Sequence, residues 1–286
     1  MKTDNDPGRD RPGFADHYET DPPRDDADPE ASSQAFADTE FLMRREFRGI
    51  RLQLELLKPE FAQQRHQIDH TVVVYGSARM QSPEAVEALL ETAHKNHDTT
   101  TLLQADRLRR GAHYYEDARA FARIVAQYSR GKPRANHFYI CTGGGPGIME
   151  AANRGAREAG EPTVGLNITL PHEQTDNPYV TPGLRFKFHY FALRKMHFMM
   201  RAKALVAFPG GLGTLDELFE VLTLVQTEKT KPVPVVLYGS SYWKRLLHLD
   251  VLVEEGAIAP EDLELFRYAD TPKHAWEHIA AFYRLT

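Results

Sequence analysis

Three glycine-rich turns in this sequence have the residue types of an anion-binding site. Glycine lets a negatively charged group approach the backbone without meeting a Cβ atom, and it permits the positive φ angles of tight turns. A helix that follows such a turn adds free N–H groups and the positive end of its dipole, a combination that binds phosphate. The three turns are Gly76-Ser77-Ala78, Gly143-Gly144-Gly145-Pro146-Gly147 and Gly210-Gly211-Leu212-Gly213-Thr214.

Residues of these turns are candidate phosphate contacts, although glycine can also serve only to make a tight turn. Because three strand ends in succession carry such turns, an anion site is favoured over three unrelated turns. The candidates are Ser77 in the first turn, Gly144, Gly145, Gly147 and the following Met149 in the second, and Gly210, Gly211, Leu212, Gly213 and Thr214 in the third.

The spacing of the glycines argues against the most common nucleotide-binding motifs. The dinucleotide fingerprint would require glycine where Glu150 and Asp216 stand. The sequence also contains no P-loop, no Gly-x-Ser-x-Gly nucleophile elbow and no His-Glu-x-x-His zinc motif. We therefore expect a phosphate cradle without a metal.

Charged residues cluster around the third turn. Asp216, Glu217 and Glu220 begin the helix predicted after it, and Arg194 and Lys195 lie near the start of the preceding helix. Acidic residues at a helix start also follow from the helix dipole alone, and all of these charges could simply be solvated. A carboxylate beside a bound phosphate, however, would be repelled unless a cation offset it, and the two basic residues are candidates for that role.

An alternation of strands and helices places the three turns at one edge of a sheet. Alternating elements of this kind are typical of parallel βαβ units, so we predict an α/β fold, a Rossmann-like doubly wound parallel sheet flanked by helices. Ligands of such sheets bind beyond the carboxyl ends of the strands, where the turns should converge. Apolar runs predict strands at 71–76, 137–142, 163–168, 204–208 and 233–238, and helical spacing predicts helices at 114–128, 147–159, 191–201, 214–227, 243–255 and 274–283.

Two segments precede the predicted catalytic domain, which covers residues 69–286. Residues 1–38 contain eleven acidic and four basic residues, so we expect an acidic tail that does not fold. Residues 39–68 form a predicted N-terminal helical extension that stops at Pro59 and packs on the main domain. Its apolar residues recur at helical spacing and include Phe41, Phe47, Ile50, Leu54 and Leu57.

Composition narrows the functional classes. The chain has 286 residues, is 42% apolar and carries a formal charge of −5, which disfavours nucleic acid as a partner. A single cysteine, Cys141, excludes an internal disulfide. No apolar run approaches the roughly 20 residues that span a bilayer, and the first residues lack the apolar core of a signal peptide. We expect a cytoplasmic protein that does not bind membranes.

Several motifs together resemble the LOG ("lonely guy") family, whose members were long mislabelled lysine decarboxylases. The resemblance covers roughly residues 70–285, and residues 171–174 and 219–220 resemble the longer bacterial branch of the family. The motifs that carry it are Gly143-Gly144-Gly145-Pro146-Gly147-Ile148-Met149-Glu150, Leu193-Arg194-Lys195 and Pro209-Gly210-Gly211-Leu212-Gly213-Thr214-Leu215-Asp216-Glu217.

The resemblance implies an activity, a quaternary structure and a set of site residues. LOG proteins are phosphoribohydrolases, which release the base of nucleoside 5′-monophosphates, cytokinin riboside 5′-monophosphates among them, and leave ribose 5-phosphate without using a cofactor. A homodimer or higher homo-oligomer, with the site near the subunit interface, is implied as well. Leu212 and Glu150 depart from the plant-type motifs, which leaves a cytokinin and an unmodified purine, as in AMP, both open as the base. The implied residues are Arg194 and Glu217 as the catalytic pair, with Ser77, Glu173, Lys195, the backbone of residues 211–214 and Thr223 as nucleotide contacts.

On this hypothesis Glu217 stabilises the positive charge that develops on the ribose, while Arg194 anchors the substrate and keeps Glu217 ionised by lowering its pKa. Three other classes remain open. The protein could be a non-catalytic nucleotide-binding module, or a pyridoxal-phosphate amino-acid decarboxylase that uses Lys195 or Lys203. It could also be a DNA-associated protein of similar fold, which the negative charge disfavours.

Overall fold

The computed structural model describes residues 34–170 and 177–285, so the predicted contact Glu173 and most of the predicted tail lie outside the described residues. The chain divides into two units, Met1–Lys58 and Pro59–Thr286. In the first unit, Asp38 caps the first helix by accepting a hydrogen bond from the Phe41 backbone N–H at 2.9 Å. The elements that follow are helix α1 (Thr39–Met43), a 3₁₀ helix (Arg45–Phe47) and helix α2 (Arg48–Arg65).

Helix α2 runs through Pro59 to Arg65, so the prediction that it stops at this proline is wrong. Proline lacks an N–H group and usually kinks or ends a helix. Here the residues after it are held firmly, because Arg201 donates two hydrogen bonds of 2.7 and 2.8 Å to the Glu60 carboxylate and Gln63 is buried. That packing outweighs the hydrogen bond that proline cannot make. The predicted packing of the apolar face upstream stays a prediction, and three of its residues, Ile50, Leu54 and Leu57, are exposed.

A parallel sheet forms the centre of the second unit and confirms the predicted α/β fold. Its strand order among the described residues is β4-β3-β2-β1-β5-β6-β7, and every pairing is parallel. Strands β2 to β4 are added on one side of β1, and β5 to β7 are added on its other side. The strand order therefore reverses between β1 and β5, which makes this position a topological switch point. The strands are β1 (Thr71–Tyr75), β2 (Tyr139–Thr142), β3 (Thr163–Ile168), β4 (Arg185–Phe188), β5 (Ala202–Ala207), β6 (Val235–Tyr238) and β7 (Phe266–Ala269).

Helices cover both faces of the sheet. Alternate strand residues point to opposite faces, so Val72 and Val74 belong to one hydrophobic core and Val73 and Tyr75 to another. The first core is closed by helices α4 (Thr99–Ser129), α5 (Ile148–Glu158) and α10 (Pro272–Tyr283). The second is closed by α6 (Phe191–Met200), α7 (Leu212–Gln226) and α8 (Ser240–Leu246).

The remaining elements lie outside these layers or were not predicted. Residues 81–112, for which no element was predicted, form α3 and the first part of α4, with Ser82 and Asp98 as N-caps. The predicted helix at 243–255 is two short helices, α8 and a later one. Within the described residues, no helix is both long enough and apolar enough to cross a membrane. These other elements are α3 (Pro83–Lys95), α9 (Asp250–Glu254) and two 3₁₀ helices, Arg134–Asn136 and Pro260–Glu264.

The three glycine-rich turns meet at the carboxyl edge of the sheet, as the topology requires. The Ser77 backbone N–H donates to the Pro209 carbonyl at 3.0 Å, and the Ser77 carbonyl accepts from the Ile148 N–H at 3.1 Å. The turn after β1 therefore touches both other turns. Gly147 has φ of 69°, and a Cβ atom at this position would lie 2.4 Å from the Ser77 carbonyl oxygen. Only glycine allows the turns to approach this closely.

We expect Gly147→Ala to lower the free energy of unfolding by about 3 kcal/mol, because strained backbone and a collision with Ser77 act together. Gly131→Ala is the matched control, since Gly131 also has positive φ, 80°, but its Cβ would meet nothing within 4 Å. That variant should lose only about 1–2 kcal/mol. Urea unfolding measures both, and equal losses would contradict the close contact between the turns.

Candidate active site

The third glycine-rich turn leaves the N-terminus of α7 open. Gly211 is the N-cap residue, and no side chain of the described residues caps the helix. Leu212 is 86% exposed, and a Cβ atom on Gly211 or Gly213 would meet nothing within 4 Å. The first N–H groups of a helix have no partner inside it, and they lie at the positive end of the dipole. This helix end is therefore an accessible place for an anion.

Gly210 and Thr214, also predicted as contacts, support this turn from behind. A Cβ atom on Gly210 would lie 2.1 Å from the Thr214 hydroxyl oxygen, and Thr214 is buried. The Gly210 carbonyl accepts a hydrogen bond of 2.6 Å from the Tyr242 hydroxyl. The structure thus separates a buried part of the turn from an exposed part at residues 211–213.

The second turn is held by a buried network of polar side chains. The Gly144 N–H donates to the Thr142 hydroxyl at 3.0 Å, which in turn donates to Asn153 Oδ1 at 2.7 Å. Asn177 donates to the same oxygen at 2.9 Å and to the Gly145 carbonyl at 3.2 Å. All five residues are buried. The sequence did not single out Thr142, Asn153 and Asn177, because they are 11 and 24 residues apart in sequence and form no periodic pattern.

Other predicted residues at this edge already have partners inside the protein. Ser77 is partly exposed, and its hydroxyl accepts a hydrogen bond of 3.1 Å from the Arg79 N–H. The Met149 sulfur covers the second turn, since a Cβ atom on Gly143 would lie 2.8 Å from it. Glu150 accepts a 2.7 Å hydrogen bond from the Tyr115 hydroxyl on α4. The contacts predicted between Ser77 or Met149 and a nucleotide stay predictions.

Arg194 and Glu217 form an ion pair between α6 and α7. The Arg194 Nη2 donates to Glu217 Oε1, and the two side chains are only 10% and 11% exposed. The guanidinium also lies over the rings of Phe191 and Phe198, 5.2 and 5.5 Å from their centres, which favours a cation. The structure therefore brings together the two residues predicted as the catalytic pair.

Burial raises the pKa of Glu217 to about 7. The positive charges of Arg194 and Lys195 lower this pKa, and the negative charges of Asp216 and Glu220 raise it further. Arg194 thus lowers the pKa of Glu217 as predicted, but desolvation outweighs this attraction, so the carboxyl group is not held fully ionised at neutral pH. A carboxyl group that titrates near neutrality can both accept and return a proton under physiological conditions.

Lys195 pairs with two other carboxylates of α7. Its Nζ lies 2.9 Å from Glu220 Oε2 and 3.2 Å from Asp216 Oδ1. Burial by itself would lower the pKa of Lys195, but the hydrogen bonds to Glu220 and Asp216 raise it above its usual value. Lys195 is therefore a stable cation. It offsets two of the negative charges that would otherwise repel an anion at this helix end.

Thr223 lies on the exposed face of α7. Its hydroxyl donates to the Phe219 carbonyl of its own helix at 2.7 Å. An open groove of about 520 Å³ runs along this face, and Arg194 and Glu217 do not line it. The groove links Thr223 with the start of the helix, and its lining includes Leu212, Asp216, Phe219, Glu220 and Thr223.

Neither a metal cluster nor a reactive thiol stands out in the part of the chain that the structure describes. No group of three or more His, Cys, Asp and Glu side chains there could hold a metal ion. Cys141 is buried in β2, and burial raises the pKa of its thiol.

Comparison with known proteins adds a family match and several relatives. A family model described as "Possible lysine decarboxylase" matches residues 149–279. The cytokinin riboside 5′-monophosphate phosphoribohydrolase LOG3 of Arabidopsis thaliana is 31% identical over 134 residues, which are 46% of this chain and 61% of LOG3. The probable cytokinin riboside 5′-monophosphate phosphoribohydrolase LOGL6 of Oryza sativa subsp. japonica is 29% identical over 143 residues, 49% of this chain and 56% of LOGL6. The chain thus spans about three fifths of the length of these relatives.

Two solved structures with a similar chain path are named for binding or carrying the molybdenum cofactor. The molybdenum cofactor binding protein from the phototrophic bacterium Rippkaea orientalis has a TM-score of 0.45 and 18% identity, over 75% of this chain and 98% of its own. The Moco carrier protein from Chlamydomonas reinhardtii has a TM-score of 0.43 and 22% identity, over 76% of this chain and 97% of its own. Similarity of this size says nothing about what the present site binds.

The family match covers the third glycine-rich turn and the ion pair, but not the first two turns, which precede residue 149. It starts at Met149 and includes α6 with Arg194 and Lys195, the third glycine-rich turn and α7 with Glu217. The relatives that align with this chain carry the LOG name. Through residues 149–279, this chain is similar to proteins of the LOG family.

Proposed function

We propose that this protein hydrolyses the N-glycosidic bond of a nucleoside 5′-monophosphate and releases the free base and ribose 5-phosphate. One observation carries the proposal. Glu217 lies on α7, whose open N-terminus suits phosphate, and its buried ion-pair partner Arg194 lies on the neighbouring helix α6. The names of the LOG relatives support it, since they describe phosphoribohydrolases of cytokinin riboside 5′-monophosphates.

The length of α7 between its N-terminus and Glu217 would set the distance between the bound phosphate and the bond that is cleaved. The N–H groups of Leu212, Gly213 and Thr214 would bind the phosphate at the helix end. Glu217 follows Leu212 by five residues, which corresponds to about 7.5 Å of helix rise. A ribose can span that distance, so a nucleotide held by its phosphate would present its glycosidic carbon to the Glu217 carboxylate.

The chemistry requires a negative charge and a base at that carbon. As the bond between C1′ and the base nitrogen breaks, its electron pair leaves with the base and positive charge develops on the ribose. The Glu217 carboxylate would stabilise this charge and take a proton from the water whose oxygen bonds to C1′. The departing base takes up one proton from solvent, and Glu217 later returns its proton to solvent, so that one water is consumed and the carboxylate is restored. Arg194 would hold the carboxylate in place and face the phosphorylated sugar with a cation.

Both a cytokinin riboside 5′-monophosphate and AMP are substrates within this proposal. Incubation with a panel of nucleoside 5′-monophosphates, followed by chromatography for free base and ribose 5-phosphate, tests the reaction and ranks the bases. Binding of nucleotides without release of any base would instead favour the non-catalytic alternative.

The lysine decarboxylase description of the family model does not fit the lysines near this site. A pyridoxal-phosphate enzyme needs a lysine that forms a Schiff base, and therefore an amine that readily loses its proton. Lys195 is paired with Glu220 and Asp216, and its pKa is raised. Lys203 stands at the start of β5, at the sheet edge opposite the glycine turns. Neither lysine has the surroundings that this cofactor requires.

A second copy of the chain would complete the exposed side of the site, so we propose a homodimer. Leu212 is 86% exposed, and Phe219 on α7 and Phe191 on α6 are each 37% exposed. Apolar groups gathered on one face of a soluble protein are typical of subunit interfaces. The open groove along α7 would then become an enclosed pocket.

Glu217→Gln should lower kcat at least about 100-fold, because the neutral amide neither stabilises the developing charge nor accepts a proton. Binding of AMP, measured by calorimetry, should persist because the helix N-terminus is untouched. Glu254→Gln, an exposed carboxylate of α9, is the matched control and should keep full activity. Unchanged turnover in Glu217→Gln would refute the catalytic assignment.

The rate constant kcat/KM should fall as the pH drops through about 7, since Glu217 is ionised only above its raised pKa. Asp216→Asn removes a negative charge that raises this pKa, so the acid limb of the profile should move to lower pH. Initial rates across the pH range measure both curves. A profile without an acid limb near neutrality, or one that Asp216→Asn moves upward, would contradict the role of burial.

Phe219→Asp should convert the proposed dimer to a monomer, because it places a charge in the apolar face of α7. Val251→Asp changes an exposed residue of α9 and should leave the dimer intact. Light scattering coupled to size-exclusion chromatography measures both masses. A monomeric wild-type protein would rule out this part of the proposal.

A further inference from the structure

Two neighbouring aromatic residues of α8 hold the end of β5 and the turn that follows it. Trp243 is fully buried, and its Nε1 donates to the carbonyls of Ala207, at 3.1 Å, and Tyr238, at 2.9 Å. Tyr242 precedes it and donates its hydroxyl to the Gly210 carbonyl at 2.6 Å. Since the Trp243 hydrogen bonds fix α8 against two strand ends, the Tyr242 hydroxyl is a donor at a fixed place.

The geometry of a peptide group gives this hydrogen bond a consequence on its far side. In a trans peptide the carbonyl of one residue and the N–H of the next point in opposite directions. The Gly210 carbonyl is held towards Tyr242, which packs on the second hydrophobic core. The N–H of Gly211 must then point away from that core, on the side where a Cβ atom on Gly211 would meet nothing within 4 Å.

Nothing in the side chains of residues 210 and 211 restricts the rotation of this peptide. Both residues are glycine, which has the widest choice of backbone angles. A Cβ atom at position 210 would collide with Thr214, which requires glycine there, whereas Gly211 is open to solvent. The peptides on either side are held by backbone hydrogen bonds of 3.0 Å, from the Ser77 N–H to the Pro209 carbonyl and from the Leu215 N–H to the Gly211 carbonyl. The Tyr242 hydroxyl holds the orientation of the Gly210–Gly211 peptide between them.

We propose that Tyr242 is a positioning residue for phosphate: it orients the Gly210–Gly211 peptide so that the Gly211 N–H joins the donors at the start of α7. This inference rests on the proposed function, because it takes the phosphate of the nucleotide as the ligand of that helix end. Tyr242 itself contacts neither substrate nor the reacting atoms. Its effect is on binding of the phosphate group and not on the bond that is cleaved.

Tyr242→Phe tests this role, because it removes the hydroxyl and keeps the ring. Loss of one well-oriented hydrogen bond to a charged group should weaken binding of ribose 5-phosphate, measured by calorimetry, about tenfold. The KM for AMP should rise by a similar factor while kcat stays within about twofold. Loss of kcat with unchanged KM would overturn the inference.

Tyr283→Phe is the matched control for a merely structural effect. The Tyr283 hydroxyl also donates to a backbone carbonyl at 2.6 Å, that of Lys203 at the opposite end of β5. The two variants lose the same kind of hydrogen bond, so their melting temperatures should fall by similar amounts. Only Tyr242→Phe should lose affinity for ribose 5-phosphate, and equal affinities in the two variants would overturn the inference.

Gly211→Pro examines whether Tyr242 acts through the Gly211 N–H. Proline removes that N–H, and its ring, which fixes φ near −65°, requires the φ of −95° at Gly211 to shift by about 30°. If the two residues act as one unit, adding Tyr242→Phe to Gly211→Pro should cost no further affinity. Additive losses would refute the route through this peptide.

Measurements on the wild-type protein distinguish a failure of the positioning role of Tyr242 from a failure of the proposed function. If it binds ribose 5-phosphate and Tyr242→Phe binds it equally well, the positioning role is refuted while the proposed function stands. If the wild type binds neither ribose 5-phosphate nor AMP, the proposed function fails and the inference fails with it.

Discussion

The ion pair of Arg194 and Glu217 is made where water is largely excluded, and this desolvation sets the character of the site. Strand β5 makes this pair possible, because α6 precedes β5 in the chain and α7 follows it. The two side chains therefore meet although they are 23 residues apart in sequence. Burying two charges is costly, and their attraction does not fully compensate. The outcome is a carboxyl group poised near neutrality in place of a permanently charged one.

Helix α7 combines two requirements that conflict electrostatically. Its N-terminus favours an anion, yet three acidic residues follow within its first turns. Two cations from outside the helix offset these charges. Arg194 forms an ion pair with Glu217, and Lys195 forms ion pairs with Asp216 and Glu220. Two consecutive residues of α6 therefore determine how much negative charge α7 presents to a ligand.

Sequence patterns predicted the buried strands, and the family resemblance singled out Arg194 and Glu217, which the fold brings together. Neither predicted the strands at the edges of the sheet or the raised pKa of Glu217. Strands such as β1 are apolar throughout because both faces are covered, whereas Arg185–Phe188 and Phe266–Ala269 include charged residues and were missed. The raised pKa of Glu217 depends on burial among side chains from two helices, which no local pattern encodes. The contacts of Asn153 with Thr142 and Asn177 likewise exist only in the folded chain.

The junction of the three glycine turns is made by the main chain of Ser77, through its N–H to Pro209 and its carbonyl to Ile148. Every amino acid other than proline supplies both groups, so the architecture of the junction does not depend on the side chain at position 77. Evolution can therefore exchange that side chain, which stands at the mouth of the crevice, without rebuilding the scaffold. A position of this kind gives a fold room to acquire new ligands while its framework is inherited unchanged.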